Sequence, residues 1–590
     1  MLDIETLMCD NVFVTRQAGA MHVATTRRQH KDKVYETHLL RHSYREAGKV
    51  KNETLANLSY LPVETIELIR QSLRGETHVI AGEGFEIERS LPHGHVAALF
   101  AMAQKLGLGE VLGPACPERD LALSLVIARA AKPGSKLATK RWWADTTLGA
   151  DLVGGGASLD DVYQSMDWLG ARQETIEASL AHRHLGEGSM VLYDLSSSWM
   201  EGTHCPLAKR GYSRDHKSGK AQIEYGLLTD HEGRPVSVEV FAGNTADPSA
   251  FISAVETVRT RFGLTEVVMV GDRGMITSAR IEALRTLGGI SWVTCLRAPA
   301  IRALAEQGVL QLSLFDETNL AEITHPDYPG ERLVACRNPA LASERARKRS
   351  ELLEATEALL APISVAVATG RLKGADKIGV RVGRHLNRYK MAKHFDLEIG
   401  DDTFDFSRRE VEIDAEASLD GIYVIRTSVD PERLDAPGAV TAYKGLAMVE
   451  RDFRSLKAID LDLRPIYHFT EERVRAHVFI CMLAAYLVWH LREAWAPMCF
   501  TDEEPPVRDD PVGPARRSER ARQKDACKAT PDGEAVHNFS TLVNHLATLT
   551  RNTVVFAGGV RIDKLALPTP AQRRAFELIG APIPARLGPK

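Results

Sequence analysis

Apolar residues recur at helical spacing over Val63–Leu73 and over residues 95–106 and 121–131, so the chain from Pro62 to about Leu185 is expected to be helical throughout. Ser158, followed by Asp160 and Asp161, predicts a helix start within it. The texture changes at Ser189. Residues 190–193 form a short apolar run of strand character that delivers Asp194, and residues 221–229 and 235–241 read as a hairpin closed by the polar, glycine-containing segment 230–234. A helix over 247–262 leads into 266–271, a continuous apolar run suited to a buried parallel strand, with Asp272 just beyond it. Ser278–Leu287 as helix and 290–296 as strand complete the pattern.

Three strands followed by alternating helix and strand is the order of an RNase H-like domain. The expected class is therefore α/β, with an RNase H-like core of mixed sheet flanked by helices. Residues 298–437 interrupt it as an insertion domain, with a charged helix over 343–360 and strand-like stretches at 378–382, 395–399 and 421–427. Two helices follow, at 440–457 and 471–495, the second started by Thr470 with Glu471 and Glu472 in its first turn. Residues 502–535, rich in Pro, Asp, Arg and Lys, read as a flexible linker, and the apolar-patterned 539–549 and 571–579 as a small docking element. The expected organisation is an N-terminal basic segment (1–61), an α-helical region (62–185), the core in two parts (186–297 and 438–500) split by the insertion (298–437), and a linker with tail (501–590).

Composition narrows this picture. At 590 residues the chain exceeds one hydrophobic core, and its 44% hydrophobic and 26% charged residues are those of a globular protein. A formal charge of −4 gives no whole-chain sign of nucleic-acid binding, so any such contact must come from local patches. Two stand out. Residues 26–52, read as a basic hairpin, hold eight Lys or Arg against three acids and include Arg27 and Arg28; residues 371–394 hold eight against one and include Arg381, Arg384, Arg388 and Lys390. Neutralised phosphates supply most non-specific DNA affinity, which makes the second patch the stronger candidate surface.

The eight cysteines form no CxxC pair, which argues against a zinc finger and a disulfide framework and for a reducing cytosol. The apolar run at 478–489 is 12 residues long, too short to span a bilayer, so it is expected to be a buried helix and no membrane partner is expected. The start of the chain lacks a basic segment followed by an apolar run, so no secretory signal is expected. Gly154-Gly155-Gly156 lacks a following Lys-Ser/Thr and reads as a turn.

Carboxylates at strand ends are rigidly held yet open to phosphate, which suits two divalent cations placed to activate an attacking oxygen and stabilise a leaving one. Asp194 ends or lies within one such strand and Asp272 ends another, and on adjacent parallel strands they could share a metal. A third acid belongs on a helix packed against the sheet. With about 100° per residue and Tyr443 at 0°, Glu450, Arg454 and Lys457 fall within one polar face about 60° wide. Leu446, Val449, Phe453 and Leu456 form the apolar stripe beside it. Asp215, Asp230 and Asp247 compete for the same role, but Asp230 suits its turn and Asp247 a helix start. His204-Cys205 has no second pair to complete a metal site, and Trp142-Trp143 suits packing better than base stacking. Arg273 is open to two readings, a phosphate contact or a pair with a carboxylate. Residues 464–468 are a candidate lining of the site.

The run Tyr443, Glu450, Lys457, with Phe453, Arg454 and Leu456 between, resembles the Tyr-Arg-Glu-Lys signature of DDE transposases of bacterial insertion sequences that carry an insertion before the final Glu. Val191-Leu192-Tyr193-Asp194, Tyr225-Gly226-Leu227-Leu228, Gly243-Asn244-Thr245-Ala246-Asp247 and Gly271-Asp272-Arg273-Gly274 resemble its other blocks, in order. Leu446 stands where the signature Arg belongs, and Lys444, Arg451 or Arg454 are candidates to replace it. The resemblance implies a bacterial DNA transposase, cytoplasmic and nucleoid-associated when acting, that cleaves transposon ends and transfers strands into target DNA. It implies Asp194, Asp272 and Glu450 as catalytic, metal-binding residues; of these, Asp194 rests most on the resemblance. The implied cofactor is Mg2+, two ions, with Mn2+ as a possible substitute. The implied partners are double-stranded terminal inverted repeats, target DNA and a second copy of the chain in the DNA complex. Tyr443, Arg454 and Lys457 are expected to touch DNA. An RNase H-like nuclease without strand transfer and a transposase-derived DNA-binding protein are the competing readings.

Overall fold

The computed structural model describes residues 20–30, 33–46, 48–76, 84–154, 156–202, 204–217, 219–556 and 559–588. They fall into two compact units, Met1–Ser90 with Asn552–Lys564 and Leu91–Arg551 with Leu565–Lys590. The chain start read for a signal, and Gly155 of the expected turn, lie outside the described residues.

In the first unit β1 (Met21–His30), β2 (Lys33–Glu46) and β3 (Lys49–Asn57) form an antiparallel meander, so the expected hairpin is β2–β3 with one more strand beside it. The helix Val63–Leu73 follows and buries Ile66. Next comes β4 (Phe85–Pro92), which corrects the expectation that 62–185 is helical throughout. Phe85 and Ile87 alternate with Glu86 and Glu88, a period of two that suits a strand.

The second unit is built on a sheet that begins with β5 (Met190–Trp199), β6 (Gln222–Asp230) and β7 (Pro235–Ala242), an antiparallel meander. β8 (Val267–Gly271) and β9 (Ile290–Cys295) then add in parallel on the far side of β5. Helices from Gly94–Lys105 to Gln173–His184 share one continuous apolar core with this sheet. The capping box predicted at Ser158 is present, with Asp161 returning the hydrogen bond. Glu471–Ala494, capped by Thr470, packs against β7 and the helices Pro117–Ala131 and Leu159–Gly170. It is long and apolar enough to cross a membrane by composition, but 83% of its apolar window is buried in this core.

The segment expected as a separate insertion does two things. β10 (Leu320–Ile323), β11 (Arg332–Arg337) and, later in the chain, β14 (Ile422–Thr427) extend the core sheet, giving eight strands in the order β10-β11-β14-β9-β8-β5-β6-β7. Between them, the helices Pro339–Ala368, Ala375–Tyr389 and Glu410–Ala417 and the hairpin β12 (Phe395–Ile399) and β13 (Phe404–Arg408) gather round a separate apolar cluster. The strand expected at 378–382 is part of the helix Ala375–Tyr389. Ile378, Val380 and Val382 alternate like a strand, but the buried set is Ile378, Val382 and Leu386, one helical turn apart.

The expected linker is held down. Lys444 Nζ donates to the carbonyls of Val512 at 2.8 Å and Gly513 at 3.1 Å, and the helix Glu519–Cys527 buries Lys524 on the carbonyls of Ala496, Cys499 and Thr501. The tail helices Phe539–Ala547 and Pro570–Ile579 pack on Gly94–Lys105, as a docking element would. Between them β15 (Thr550–Phe556) and β16 (Arg561–Leu565) complete a sheet in the order β16-β15-β4.

Candidate active site

Parallel neighbours β5 and β8 put Tyr193 opposite Gly271, so the next residue on each, Asp194 and Asp272, emerges side by side. β8 ends there, whereas β5 continues, placing Asp194 inside its strand. The third wall is the helix Leu446–Arg454. The expected single helix over 440–457 is in fact Ala436–Lys444, a step at Gly445, Leu446–Arg454 and a looser turn over Ser455–Ile459. Asp435 starts it by accepting from the Gly438 N–H at 2.7 Å. Val449 and Phe453 seat it on the core, Phe453 against the Tyr225 ring of β6 at 5.6 Å, while Glu450 and Arg454 stay exposed.

Asp194, Asp272 and Glu450 line one cavity of about 830 Å³ with Arg454 and Lys457. Burial pushes the Asp194 carboxyl up to about 7; the charges of Asp272 and Glu450 push the same way, against the Leu195 N–H and Arg214. Two more acids, Glu224 and Asp247, share the cavity. Both are neutralised by one guanidinium, Arg214 Nη1 lying 2.9 Å from Glu224 and Nη2 2.7 Å from Asp247. Among the described residues Asp194, Asp272 and Glu450 make no ion pair. Asp194 accepts from the Leu195 N–H at 2.8 Å and Asp272 from the Arg273 N–H at 2.7 Å. No three of the described His, Cys, Asp and Glu side chains are drawn close enough to hold a metal ion as they stand. The trio's donor chemistry nonetheless fits a divalent cation, since three unpaired carboxylates face one space.

The expected DNA contacts fare unequally. Arg454 lines the cavity and is exposed. Lys457 lines it too, but is 9% exposed and committed to Asp215 at 2.9 Å, where Arg464 also pairs. Tyr443 is partly buried on the core, and burial raises its hydroxyl pKa, with Cys295 and Asp272 next in effect. Arg273 is exposed without a carboxylate partner among the described residues and, like Lys390, lines a second cleft of about 810 Å³. Arg381, Arg384 and Arg388 project from the outer face of Ala375–Tyr389. Arg27, paired with Glu36 at 2.5 Å, and Arg28 are exposed on β1 in the other unit.

Leu446 packs on the core, and its three candidate substitutes separate cleanly. Lys444 is tied to backbone carbonyls, Arg451 lines a different cavity of about 230 Å³, and Arg454 alone of the three lines the main cavity. Residues 464–468 do not line it. Asp230 accepts from the N–H groups of Glu232 and Arg234 in its turn, Cys205 is buried beside an exposed His204, and Trp143 is a core residue. Arg214 and Glu224 were not singled out from the sequence. A signal existed for Glu224, an acid set within an apolar strand-patterned run, which needs a partner once that strand is buried, as it is here.

Residues 196–487 match the family model of the transposase DDE domain, a stretch that includes Asp272 and Glu450 and starts just after Asp194. The chain belongs to the DDE-type insertion-sequence transposases and is a DNA transposase with an RNase H-like core, which entails DNA as a partner and use of a divalent metal. Its N-terminal part, residues 23–83, matches the N-terminal domain of IS1634 family transposases. Among solved structures, the piggyBac transposase synaptic complex with hairpin DNA is similar over 73% of this chain and 70% of that one, at 7% identity and a TM-score of 0.32, too loosely to add to the family match. No curated protein matches the sequence.

Proposed function

We propose that the transposase hydrolyses DNA at the ends of its element and joins the freed 3′ hydroxyls to target DNA by transesterification, with Asp194, Asp272 and Glu450 holding two Mg2+ ions. The observation that carries this reading is the unpaired state of those three acids in a cavity whose other two acids are neutralised. Bound ions would supply charge stabilisation at the phosphate and activation of the attacking oxygen, and Mn2+ would substitute.

The chain's own groups do the rest. Strands β5 and β8 fix Asp194 and Asp272 on a rigid sheet. Arg454, one helical turn beyond Glu450, offers a guanidinium to a backbone phosphate at the cavity mouth. Lys457, which also lines the cavity, is held by its ion pair with Asp215. Arg273 would hold the strand where it leaves the cavity, and the exposed row Arg381, Arg384, Arg388 and Lys390 would bind DNA backbone, as would Arg27 and Arg28 on the N-terminal meander. Two copies of the chain would hold the two DNA ends together.

The test is cleavage of double-stranded terminal repeats by the purified protein with Mg2+, Mn2+ or a chelator, with sizing of the protein–DNA complex. Metal-dependent nicks, a joined product and two protomers per complex are expected. Normal cleavage by Asp194→Ala, Asp272→Ala or Glu450→Ala sinks the site assignment, and cleavage without any joined product leaves only a nuclease.

A further inference from the structure

Among the described residues five carboxylates face one cavity, and a divalent cation that takes six or more oxygen ligands is attracted to all of them. What sorts them is Arg214. Its two terminal nitrogens reach Glu224 on β6 at 2.9 Å and Asp247, at the start of the helix Asp247–Glu256, at 2.7 Å. The loop that carries it is anchored separately: the Arg214 N–H donates to Ser197 Oγ on β5 at 3.0 Å. In the same loop Gly211 lies against the Gly243 carbonyl so closely that a Cβ would have no room. The guanidinium is thus fixed from both ends, and a planar fork spanning two carboxylates suits arginine and not lysine.

Asp247 is the acid that most needs this restraint. Arg214 takes its Oδ1, and Oδ2 faces the same gap as Asp272: a side chain begun on Gly274 would meet Asp272 Oδ2 at 3.4 Å and Asp247 Oδ2 at 3.8 Å. Freed of its partner, Asp247 would be a fourth ligand beside Asp272, and Glu224 a loose negative charge behind it.

We infer that Arg214 is a positioning residue that decides which acids take the cation: by neutralising Glu224 and Asp247 it reserves the site for Asp194, Asp272 and Glu450. The inference rests on the metal-binding reading of that trio. Two consequences follow. Losing the arginine should strengthen cation binding while slowing cleavage, whereas losing a ligand should weaken binding and slow cleavage together. Removing Asp247 alone should leave cation binding as it is, because that acid is already occupied.

The experiment is Mn2+ binding to the purified full-length protein without DNA, read by electron paramagnetic resonance of free Mn2+, beside melting temperature and cleavage rate. Arg214→Gln is expected to bind Mn2+ about tenfold more tightly, or to take up additional ions. Adding Glu224→Gln and Asp247→Asn to it should restore the original binding, and Arg214→Lys should fall between. Unchanged Mn2+ binding by a folded Arg214→Gln protein overturns the inference. Should that variant fail to fold, Asp247→Asn in the otherwise native chain decides: unchanged Mn2+ binding supports the inference, and loss overturns it. Asp194→Asn and Asp272→Asn test the trio separately, since Mn2+ binding that survives both removes the metal reading itself, whatever Arg214 does.

Discussion

The phenol of Tyr193 lies across Gly226 of the neighbouring strand, so that a Cβ there would stand 2.6 Å from Tyr193 Cζ and nearer still to the hydroxyl. That hydroxyl donates to the Ala250 carbonyl at 3.2 Å, which holds the ring in place. Tyr193 directly precedes Asp194, so the packing that fixes one fixes the other. Gly226→Ala is expected to destabilise the protein by about 1–3 kcal/mol in urea denaturation, the usual range for overpacking a core, and to lower cleavage at temperatures where the protein is still folded. Native stability in the variant would show that the ring moves freely.

Removing the charge of Arg454 should slow strand cleavage by about 10- to 100-fold, as expected for one charge-assisted hydrogen bond to phosphate. Lys444→Ala and Arg451→Ala act differently. Lys444 holds the segment around Val512, so its loss should reduce melting temperature more than rate, and Arg451→Ala should leave the rate within a factor of about three. Single-turnover kinetics on all three variants would settle the order, and an Arg451 effect as large as that of Arg454 would reverse the assignment.

Lys136 is buried beside His477, Nζ to Nδ1 3.3 Å, with no carboxylate against it among the described residues. Burial, helped by the charge of Arg129, lowers its pKa from the ordinary 10.5 to about 7. Between those values the unfolded chain binds a proton that the folded chain does not, so this lysine makes stability rise with pH across the window and contributes no further slope below it. Lys136→Met should stabilise the protein at pH 7 by about 1–4 kcal/mol and remove the rise. Urea denaturation of both proteins at several pH values between 7 and 10 measures this, and parallel curves would refute it.

Arg381, Arg384 and Arg388 are exposed on the face of Ala375–Tyr389 opposite its buried stripe, so replacing all three with Ala should leave the fold intact. If each meets a phosphate, the slope of log affinity for DNA against log salt should shrink by roughly 0.9 per contact. A slope identical to that of the native protein would remove this face from the DNA-binding surface.

Much of this was readable in the sequence where hydrophobic period and chemistry agree. Val63–Leu73 and Ser278–Leu287 came out with the expected bounds, and the order of strands from β5 to β9 was legible because each is a short apolar run between turn residues. The misreadings have local causes. The alternation of Ile378, Val380 and Val382 mimics a strand, and short four- to six-residue strands such as β10 and β11 carry too few residues to announce which sheet they join. At the site, a uniform helical wheel put Glu450, Arg454 and Lys457 on one face, and all three do line the cavity. The wheel knew nothing of Asp215, which is distant in sequence and takes up the lysine's charge. Arg214 was illegible for the same reason, since its importance lies wholly in the two acids it bridges.

The sheet extension also sets a timetable. The proposed third acid follows Asp272 by 178 residues, and that interval includes β10, β11 and β14, which belong to the same sheet as β5 and β8. At roughly 5–20 residues per second, a ribosome needs about 9–36 s to cover it. Throughout that time the emerging polypeptide carries Asp194 and Asp272 but no Glu450. On the proposed assignment, a chain cut short anywhere in the interval would possess the N-terminal basic strands and two acids without the third needed to break a strand, so cutting would begin only after most of the protein has been made.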